Sequence, residues 1–298
     1  CGGGGGGGGG EARTTVLPLD PKALREAAAA GGFWAYAAGT AARVVETFDV
    51  GGIEVDNYAT DLPTAKGLSS SAAACVLVAR AFSRAYGLRL STRGEMELAY
   101  QGERLTPSRC GRMDQACAYG PTPVLLSFDG DELEVEPLQL PRAAPPLHLL
   151  VADLCAAKDT VRILEALQEG FPVARTEAHR GVRELLGPLN RRLVGEAAGA
   201  VGRGDHAALG AAMVEAQGHF DRLAGAQCPD QLTAPRLHEV LACEELRALT
   251  WGAKGIGSQG DGSVQLLCRD AGCMEEAARV MRERFGLPVF PITVGGGG

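Results

Sequence analysis

The sequence predicts an α+β protein built from two domains. Segments with strand character alternate with helical segments in both halves of the chain, and a proline-rich stretch at residues 141–146 separates the halves. With 298 residues, 46% of them hydrophobic, the chain can bury a sizeable core. We therefore expect one domain over residues 11–143 and a second over residues 144–294, each an α+β sandwich, between disordered glycine tails at 1–10 and 295–298.

The amino-terminal half combines β-branched segments with apolar helical ones. Its expected elements are, in order, a strand at Thr14–Val16, a glycine-interrupted helix at Pro21–Ala42, a strand region at Val44–Ala59, helices at Ser70–Tyr86 and Thr92–Leu105, and a hairpin at Val124–Pro137. The helix from Ser70 is apolar nearly all round, which predicts burial between layers. The next helix opens with Thr92 and Glu95 in the spacing of a capping box.

The carboxyl-terminal half alternates strands with longer helical stretches. Its expected elements are, in order, a strand at Leu147–Ala152, several helices between Asp159 and Thr250, a glycine-rich turn at Gly252–Gly262, a strand at Ser263–Cys268, a helix at Met274–Phe285 and a last strand at Pro288–Thr293. This order again favours an α+β arrangement.

A glycine-and-serine segment precedes the apolar helix from Ser70. Residues 63–72 read PTAKGLSSSA, so a glycine turn leads directly into the first helical turn. The amides of a first turn lack intrahelical partners and carry partial positive charge, which favours an anion such as phosphate. The three serines add hydroxyl donors and a possible metal ligand. A plain serine-capped helix is the alternative, and a Walker loop is excluded because no Gly-Lys-Ser or Gly-Lys-Thr occurs.

Two carboxylates follow this segment at a spacing of eleven residues. Glu103 shares a helix face with Met96, Ala99 and Tyr100, so it is predicted to be buried, where a charge needs a partner or a metal. Asp114 follows a loop. Phosphoryl transfer requires a phosphate clamp, a hard cation held by oxygen ligands and a group that orients or deprotonates the attacking hydroxyl. A serine-rich loop with two carboxylates supplies this set.

The glycine-rich segment at 252–262 contains Gly255-x-Gly257-x-x-Gly260. A dinucleotide-binding fingerprint follows a strand and opens a helix. Here a helix-like stretch precedes the glycines and a strand-like stretch follows them, so a Rossmann interpretation fails. The neighbouring Lys254 is a candidate contact for a substrate or phosphate oxygen, and a simple tight turn is the alternative for the glycines.

Composition excludes several function classes. A formal net charge of -7 argues against nucleic acid as the main partner. We expect no membrane partner, because no apolar run reaches the roughly 18 residues of a membrane span and no signal peptide opens the chain. The nine cysteines form no Cys-x-x-Cys pair, and the five histidines lack ligand spacing. Reduced thiols and a cytoplasmic location are expected.

Together these strings resemble the GHMP kinases, the superfamily of galactokinase, homoserine kinase, mevalonate kinase and phosphomevalonate kinase. Residues 63–72 match every fixed position of its phosphate-binding signature. The string around Glu103, with its distance to Asp114, is similar to mevalonate kinase, whereas the Cys110-Gly-x-Met-Asp-Gln string and the Gly-Leu-Ser-Ser-Ser-Ala form of the loop are similar to galactokinase. The segment at 252–262 resembles the third, glycine-rich motif, from which Gln259 and Asp261 depart.

The resemblance implies a two-domain GHMP kinase-like fold, with an amino-terminal α/β sandwich domain and a carboxyl-terminal ferredoxin-like domain. It implies ATP and Mg²⁺ as cofactors, Ser71 and Glu103 as magnesium ligands and Asp114 as the catalytic carboxylate. The implied nucleotide-binding residues are Lys66, Gly67, Leu68, Ser69, Ser70, Ser71, Ala72, Gly255 and Gly257. The alternatives are an internal salt bridge of Glu103 with Arg104 or Arg109, and a turn or cap role for Asp114.

The implied activity is ATP-dependent phosphorylation of an alcohol group on a small molecule, with a sugar favoured over mevalonate. The family's first motif, of Pro-Gly-Arg and Gly-Glu-His character, is missing from this sequence, whether by truncation, an error in the gene model or divergence. The resemblance therefore covers residues 32–294, and the specificity residues are undetermined. A catalytically silent nucleotide- or sugar-binding relative and an ATP-dependent decarboxylase are the further alternatives.

Overall fold

The computed structural model describes residues 14–59, 69–108, 110–156 and 158–295. The chain divides into two compact units, the first ending at Pro137 and the second beginning at Leu138. Helices and antiparallel strands occur in both units, so the predicted α+β class is confirmed. The predicted tails at 1–10 and 296–298 and the loop residues Lys66, Gly67 and Leu68 lie outside the described residues.

Four α-helices form the first unit within its described part. They are α1 (Pro21–Ala29), α2 (Ala35–Thr47), α3 (Ser70–Ala85) and α4 (Thr92–Glu103). Asp20 caps α1 by accepting a hydrogen bond from the amide of Ala23 at 2.8 Å. The predicted helix at 21–42 is broken between α1 and α2, where Gly31 and Gly32 both adopt positive φ.

The strands predicted at Thr14–Val16 and Val44–Ala59 are wrong. Residues 14–16 form no strand, α2 continues to Thr47, and residues 48–59 have no regular secondary structure. Val44 is fully buried in a cluster with Ala79, Phe82 and Leu98. Burial of an amphipathic helix face therefore overrides the strand preference of its β-branched residues.

Helix α4 crosses α2 through two glycines without intervening side chains. A Cβ atom on Gly102 would lie 2.5 Å from the Cα of Thr40, and one on Gly39 would lie 2.3 Å from the carbonyl oxygen of Gly102. This close approach fixes the backbone position of the next residue, Glu103. Ser91, rather than the predicted Thr92, caps α4, since its hydroxyl accepts from the amide of Gly94 at 3.1 Å.

A 3-10 helix and a hairpin complete the first unit. The 3-10 helix, at Asp114–Tyr119, was not expected from the sequence. The predicted hairpin is confirmed: strand β1 (Val124–Asp129) pairs antiparallel with β2 (Glu132–Pro137). Gly130 adopts positive φ in the connecting turn.

The second unit contains a four-stranded antiparallel sheet. Its strands are β3 (Leu147–Asp153), β4 (Thr250–Gly255), β5 (Ser263–Cys268) and β6 (Val289–Val294), in the order β4-β5-β3-β6. One helical stretch connects β3 to β4, and a helix at Ala271–Phe285 connects β5 to β6. This β-α-β-β-α-β order with antiparallel pairing is ferredoxin-like, which confirms the prediction.

Seven α-helices separate β3 from β4. They are α5 (Thr160–Gly170), α6 (Glu177–Glu184), α7 (Asn190–Arg203), α8 (His206–Ala224), α9 (Pro229–Leu232), α10 (Pro235–Ala242) and α11 (Glu244–Leu249), with a π-helix at Leu185–Leu189 and a 3-10 turn at Gly225–Gln227. The helix at Ala271–Phe285 is α12. The main core of the unit lies between one sheet face, including Leu150 and Leu266, and helices that contribute Leu237 and Met281.

The glycine-rich turn predicted at 252–262 begins later than expected, because residues 250–255 form β4. A Cβ atom on Gly252 would lie 2.1 Å from the carbonyl oxygen of Gly210 in α8. Gly252 is thus required for close helix packing rather than for a turn. The turn itself has positive φ at Gly257, Gln259 and Gly260. Among the described residues, no helix has the length and apolar character to cross a membrane.

Candidate functional site

The serine segment meets α3 in an unusual backbone conformation. Ser69, at the N-cap position, has φ 54° and ψ 38°, and its side chain makes no capping hydrogen bond. Ser69, Ser70 and Ser71 are all half-buried. The first turn of α3 carries no acidic residue, so neither a capping side chain nor a carboxylate competes there with an incoming anion.

Glu103, at the end of α4, is almost completely buried, with 2% of its surface exposed. Each carboxylate oxygen accepts from a neutral donor: Oε2 from Nε2 of Gln115 at 2.7 Å, and Oε1 from the hydroxyl of Ser108 at 3.4 Å. Glu103 forms no ion pair with any described residue, so Arg104 does not neutralise it; Arg109 lies outside the described residues. A buried carboxylate with only neutral partners favours an external cation.

Glu95, on the same helix, is a buried carboxylate that forms an ion pair with an arginine. It is 8% exposed, and its Oε2 accepts from Nε and Nη2 of Arg80 at 2.8 and 2.6 Å. Arg80 also donates to the carbonyl oxygen of Ala118 at 2.8 Å. Within the described residues, therefore, one buried acid of α4 is paired with an arginine and the other is not.

The surroundings of Glu103 fit magnesium. Mg²⁺ takes oxygen ligands, and in nucleotide sites one or two carboxylates suffice because substrate phosphates and water complete its shell. The side-chain oxygen of Gln115 next to Glu103 is buried and has no hydrogen-bond partner among the described residues. Those residues contain no cluster of three or more histidine, cysteine or acidic side chains that could hold a metal.

Asp114 begins the 3-10 helix and is half-buried. The charge of its carboxylate and that of Glu103 both raise the pKa of two thiols, those of Cys110 and Cys117. Burial, then the charge of Glu103 and also that of Asp114, raises the pKa of Cys110 to about 11. Partial burial, then the charge of Asp114 and also that of Glu103, raises the pKa of Cys117 to about 11. The two predicted carboxylates therefore lie around one small region of the first unit.

Helix α3 reaches the same region through Cys75. Burial, and also the charge of Glu103, raises the pKa of the Cys75 thiol to about 12. Ser71 lies one helical turn before Cys75, so their side chains share a face of α3. Ser71 therefore lies on the same face of α3 as Cys75, the residue whose pKa is raised by the charge of Glu103. The hydroxyl of Ser71 forms no hydrogen bond among the described residues.

Sequence reasoning missed four side chains around Glu103. They are Tyr36, Cys75, Ser108 and Gln115. Burial and the charge of Glu103 raise the pKa of Tyr36, which places α2 beside the site as well. Only Gln115 left a sequence signal, since it directly follows Asp114.

The glycine-rich segment lies in the second unit and is described separately. The amide of Gly255 donates to Oε1 of Gln217 at 2.8 Å. Its carbonyl oxygen accepts from Nζ of Lys254 at 2.6 Å and from Nε2 of Gln259 at 3.2 Å. The backbone of Gly255 is therefore already paired, whereas Gly257 is exposed with φ 60°.

Asp261 in the same segment contacts α10, and Lys254 and Lys158 lie in or next to the segment. The Asp261 side chain accepts from the amide of Leu237 at 2.9 Å and so caps α10. Burial lowers the pKa of Lys254 and that of Lys158. The stem of Lys158 covers Gly262, where a Cβ atom would lie 2.7 Å from Cδ of the lysine. Among the described residues neither lysine has a carboxylate partner, which leaves both available to an anion.

A family comparison matches the part of the chain that carries this acid pair. Residues 35–121 match the model of the GHMP kinases N terminal domain. The matched range runs from the first residue of α2 to just beyond the 3-10 helix, so it includes Ser71, Glu103 and Asp114. No curated protein sequence matches the chain significantly.

Solved structures share the fold over most of the chain. The galactokinase of Lactococcus lactis, complexed with galactose, has a TM-score of 0.61 at 16% identity, with 89% of this chain and 75% of that chain covered. The homoserine kinase of Cytophaga hutchinsonii has a TM-score of 0.56 at 19% identity, covering 79% and 67%. L. major mevalonate kinase, in complex with R-mevalonate, has a TM-score of 0.56 at 17% identity, and the match covers 76% of this chain and 65% of that one. At these identities the likeness establishes the fold.

Proposed function

We propose that this chain is a member of the GHMP kinase superfamily and an ATP-dependent kinase of a small-molecule alcohol. The family match over residues 35–121 and the shared fold support this proposal. The observation that carries the proposal is the buried carboxylate of Glu103, whose hydrogen-bond donors within the described part of the chain are both neutral. The charge of Asp114, like that of Glu103, raises the pKa of Cys110 and of Cys117. The start of α3, which has no capping side chain, belongs to the same unit. These parts correspond to the cation ligand, catalytic carboxylate and phosphate clamp of phosphoryl transfer.

In this proposal each part has one task. The first-turn amides of α3 and the hydroxyl of Ser71 bind nucleotide phosphate oxygens. Ser71 and Glu103 hold magnesium, which neutralises charge that develops on the transferred phosphoryl group. Asp114 orients the acceptor hydroxyl and receives its proton. In the second unit, taken by itself, Lys254 and Gly257 are candidate contacts for an anionic oxygen.

A sugar is the acceptor we favour. The support is the likeness of two strings, at residues 67–72 and 110–115, to galactokinase, and a structural neighbour that binds galactose. Mevalonate-type acceptors are the runner-up, because the string around Glu103 and the neighbour bound to R-mevalonate favour them. Both acceptors present a hydroxyl group to the same catalytic carboxylate.

The proposal is tested by binding and turnover measured separately. Binding of ATP with Mg²⁺ is measured by calorimetry, and ADP release is then assayed with a panel of sugars, mevalonate and homoserine. We expect Asp114→Asn to lower turnover by about 10² to 10⁴-fold with nucleotide binding nearly unchanged, the range for loss of general acid-base catalysis. Asp131→Asn is the matched control, because Asp131 lies in the exposed hairpin turn.

Two other outcomes would replace the proposal. Binding of ATP without turnover on any acceptor, unaffected by Asp114→Asn, would favour a catalytically silent nucleotide- or sugar-binding relative. ATP-dependent release of carbon dioxide from a diphosphorylated acid would favour a decarboxylase. Absence of nucleotide binding would contradict the kinase and the decarboxylase, and absence of both nucleotide and sugar binding would contradict the silent relative as well.

A further inference from the structure

Gln115 is an unusual side chain to find at the centre of a protein unit. It is fully buried, with 0% of its surface exposed. Its amide nitrogen donates to Oε2 of Glu103 at 2.7 Å and lies 3.6 Å from the sulfur of Cys110. Its amide oxygen is buried and has no hydrogen-bond partner in the described ranges of the chain. A buried acceptor left unpaired is unfavourable, so the position is poor for stability alone.

The side-chain amide of Gln115 is neutral, whereas an arginine in its place would carry a positive charge. A neutral N–H group holds a carboxylate in one orientation without cancelling its charge. Glu103 therefore keeps the negative charge that a cation needs, whereas Arg80 neutralises Glu95 on the same helix. The oxygen of the same amide group has no partner among the described residues, so the hydrogen bond to Glu103 is the one strong contact that this side chain makes there.

We infer that Gln115 is a positioning residue that orients the Glu103 carboxylate for the metal-nucleotide complex. This inference rests on the proposed function. Ser108 supports the second carboxylate oxygen through a longer contact of 3.4 Å, so its contribution is smaller. Partners of this kind, one step removed from the metal, typically change metal affinity by about 10 to 100-fold.

The test replaces the amide by an apolar side chain of similar length, Gln115→Met. Binding of Mn²⁺ in the presence of ADP is measured by electron paramagnetic resonance, which requires no turnover. We expect the dissociation constant of Mn²⁺ to rise about tenfold or more, and the Mg²⁺ concentration for half-maximal turnover to rise in parallel, with the KM of the acceptor changed less than about twofold. Ser108→Ala should shift both metal constants in the same direction by about two to threefold.

Gln101→Met is the matched control. Gln101 also donates its amide to a carboxylate, that of Glu97 at 2.9 Å, but it lies away from Glu103. Its loss should leave the metal constants unchanged. If Gln115→Met does not fold, Gln115→Asn takes its place, because the shorter side chain withdraws the amide from Glu103.

Unchanged metal constants in the folded Gln115 variant, with normal binding in the natural protein, would overturn the inference and leave the proposed function intact. A lower unfolding temperature with unchanged metal constants would likewise assign Gln115 a purely structural role. If the natural protein itself binds no metal-nucleotide complex, the proposed function fails and this inference fails with it.

Discussion

Glu95 and Glu103 lie eight residues apart on α4, and both are buried, yet only Glu95 is paired with an arginine among the described residues. An ion pair with Arg80 compensates the burial of Glu95, whereas the described residues offer Glu103 only two neutral donors. This difference is the one expected between an acid that holds the fold together and an acid available to a cation.

Glu95→Gln and Glu103→Gln should have opposite effects. Glu95→Gln leaves Arg80 partly buried without its carboxylate, so we expect the free energy of unfolding to fall by about 2 kcal/mol. Glu103→Gln removes a buried charge that has no cationic partner among the residues that the structure describes, so stability should be kept or increased, while metal-nucleotide binding is lost. Urea unfolding and calorimetric titration measure the two effects. A large loss of stability in Glu103→Gln would show that Glu103 is itself a structural acid.

Ser71→Ala and Ser91→Ala distinguish a ligand serine from a capping serine. Ser91 accepts from the amide of Gly94 at 3.1 Å, so its replacement should cost about 1 kcal/mol of unfolding free energy without changing nucleotide use. The hydroxyl of Ser71 makes no hydrogen bond among the described residues, so Ser71→Ala should change stability by less than about 0.5 kcal/mol. It should instead weaken binding of the magnesium-nucleotide complex about tenfold. Equal nucleotide binding in both variants would contradict the assignment of Ser71.

Gly102→Ala should be strongly destabilising, because its Cβ atom would lie 2.5 Å from the Cα of Thr40. Neither backbone can yield easily, and we expect a loss of about 3 kcal/mol or more. Gly94→Ala, on the same helix, is the control: its nearest neighbour is 3.5 Å from the added atom. That substitution should be neutral or stabilise the helix by up to about 1 kcal/mol. Similar unfolding midpoints for the two variants would contradict the close crossing of α2 and α4.

The protein should lose stability as the pH rises above about 9. Burial raises the pKa of Cys75 to about 12 in the folded protein, against 9.0 for an exposed thiol. Over this window the folded protein keeps a proton that the unfolded chain releases, so the free energy of unfolding falls with increasing pH. Between pH 10 and 11, Cys75→Ala should reduce this fall by about 1.4 kcal/mol. Cys155→Ser, at an exposed position, should keep the natural slope, and an unaltered slope in Cys75→Ala would contradict the burial of that thiol.

The sequence predicts the second unit better than the first. Strands β3, β5 and β6 and the hairpin β1–β2 agree with the pattern of apolar residues and turn signals, because each depends mainly on local alternation. Strand β4 was hidden by Gly252 and Gly255, which resemble turn residues. Gly252 is needed only because α8 passes over it, and no local pattern reveals a crossing between elements distant in sequence.

The same division holds for the candidate site. Helix periodicity and the short sequence motifs around Glu103 and Asp114 identify these two acids as candidates. Their roles are the ones proposed above. The neutral environment of Glu103 does not follow, because Gln115 and Ser108 reach it only after the chain turns back between α4 and the 3-10 helix. Whether a buried acid meets an arginine or an amide is a property of tertiary packing.

The contact between Gly39 and Gly102 limits how the site can adapt. Two backbones that touch without side chains have no alternative rotamers, so Glu103 cannot be relocated by small rearrangements inside the crossing. In the proposed kinase, a change of acceptor, in evolution or in the laboratory, would therefore keep the backbone contact between Gly39 and Gly102. It would instead alter the side chains around Glu103, which can adopt other rotamers.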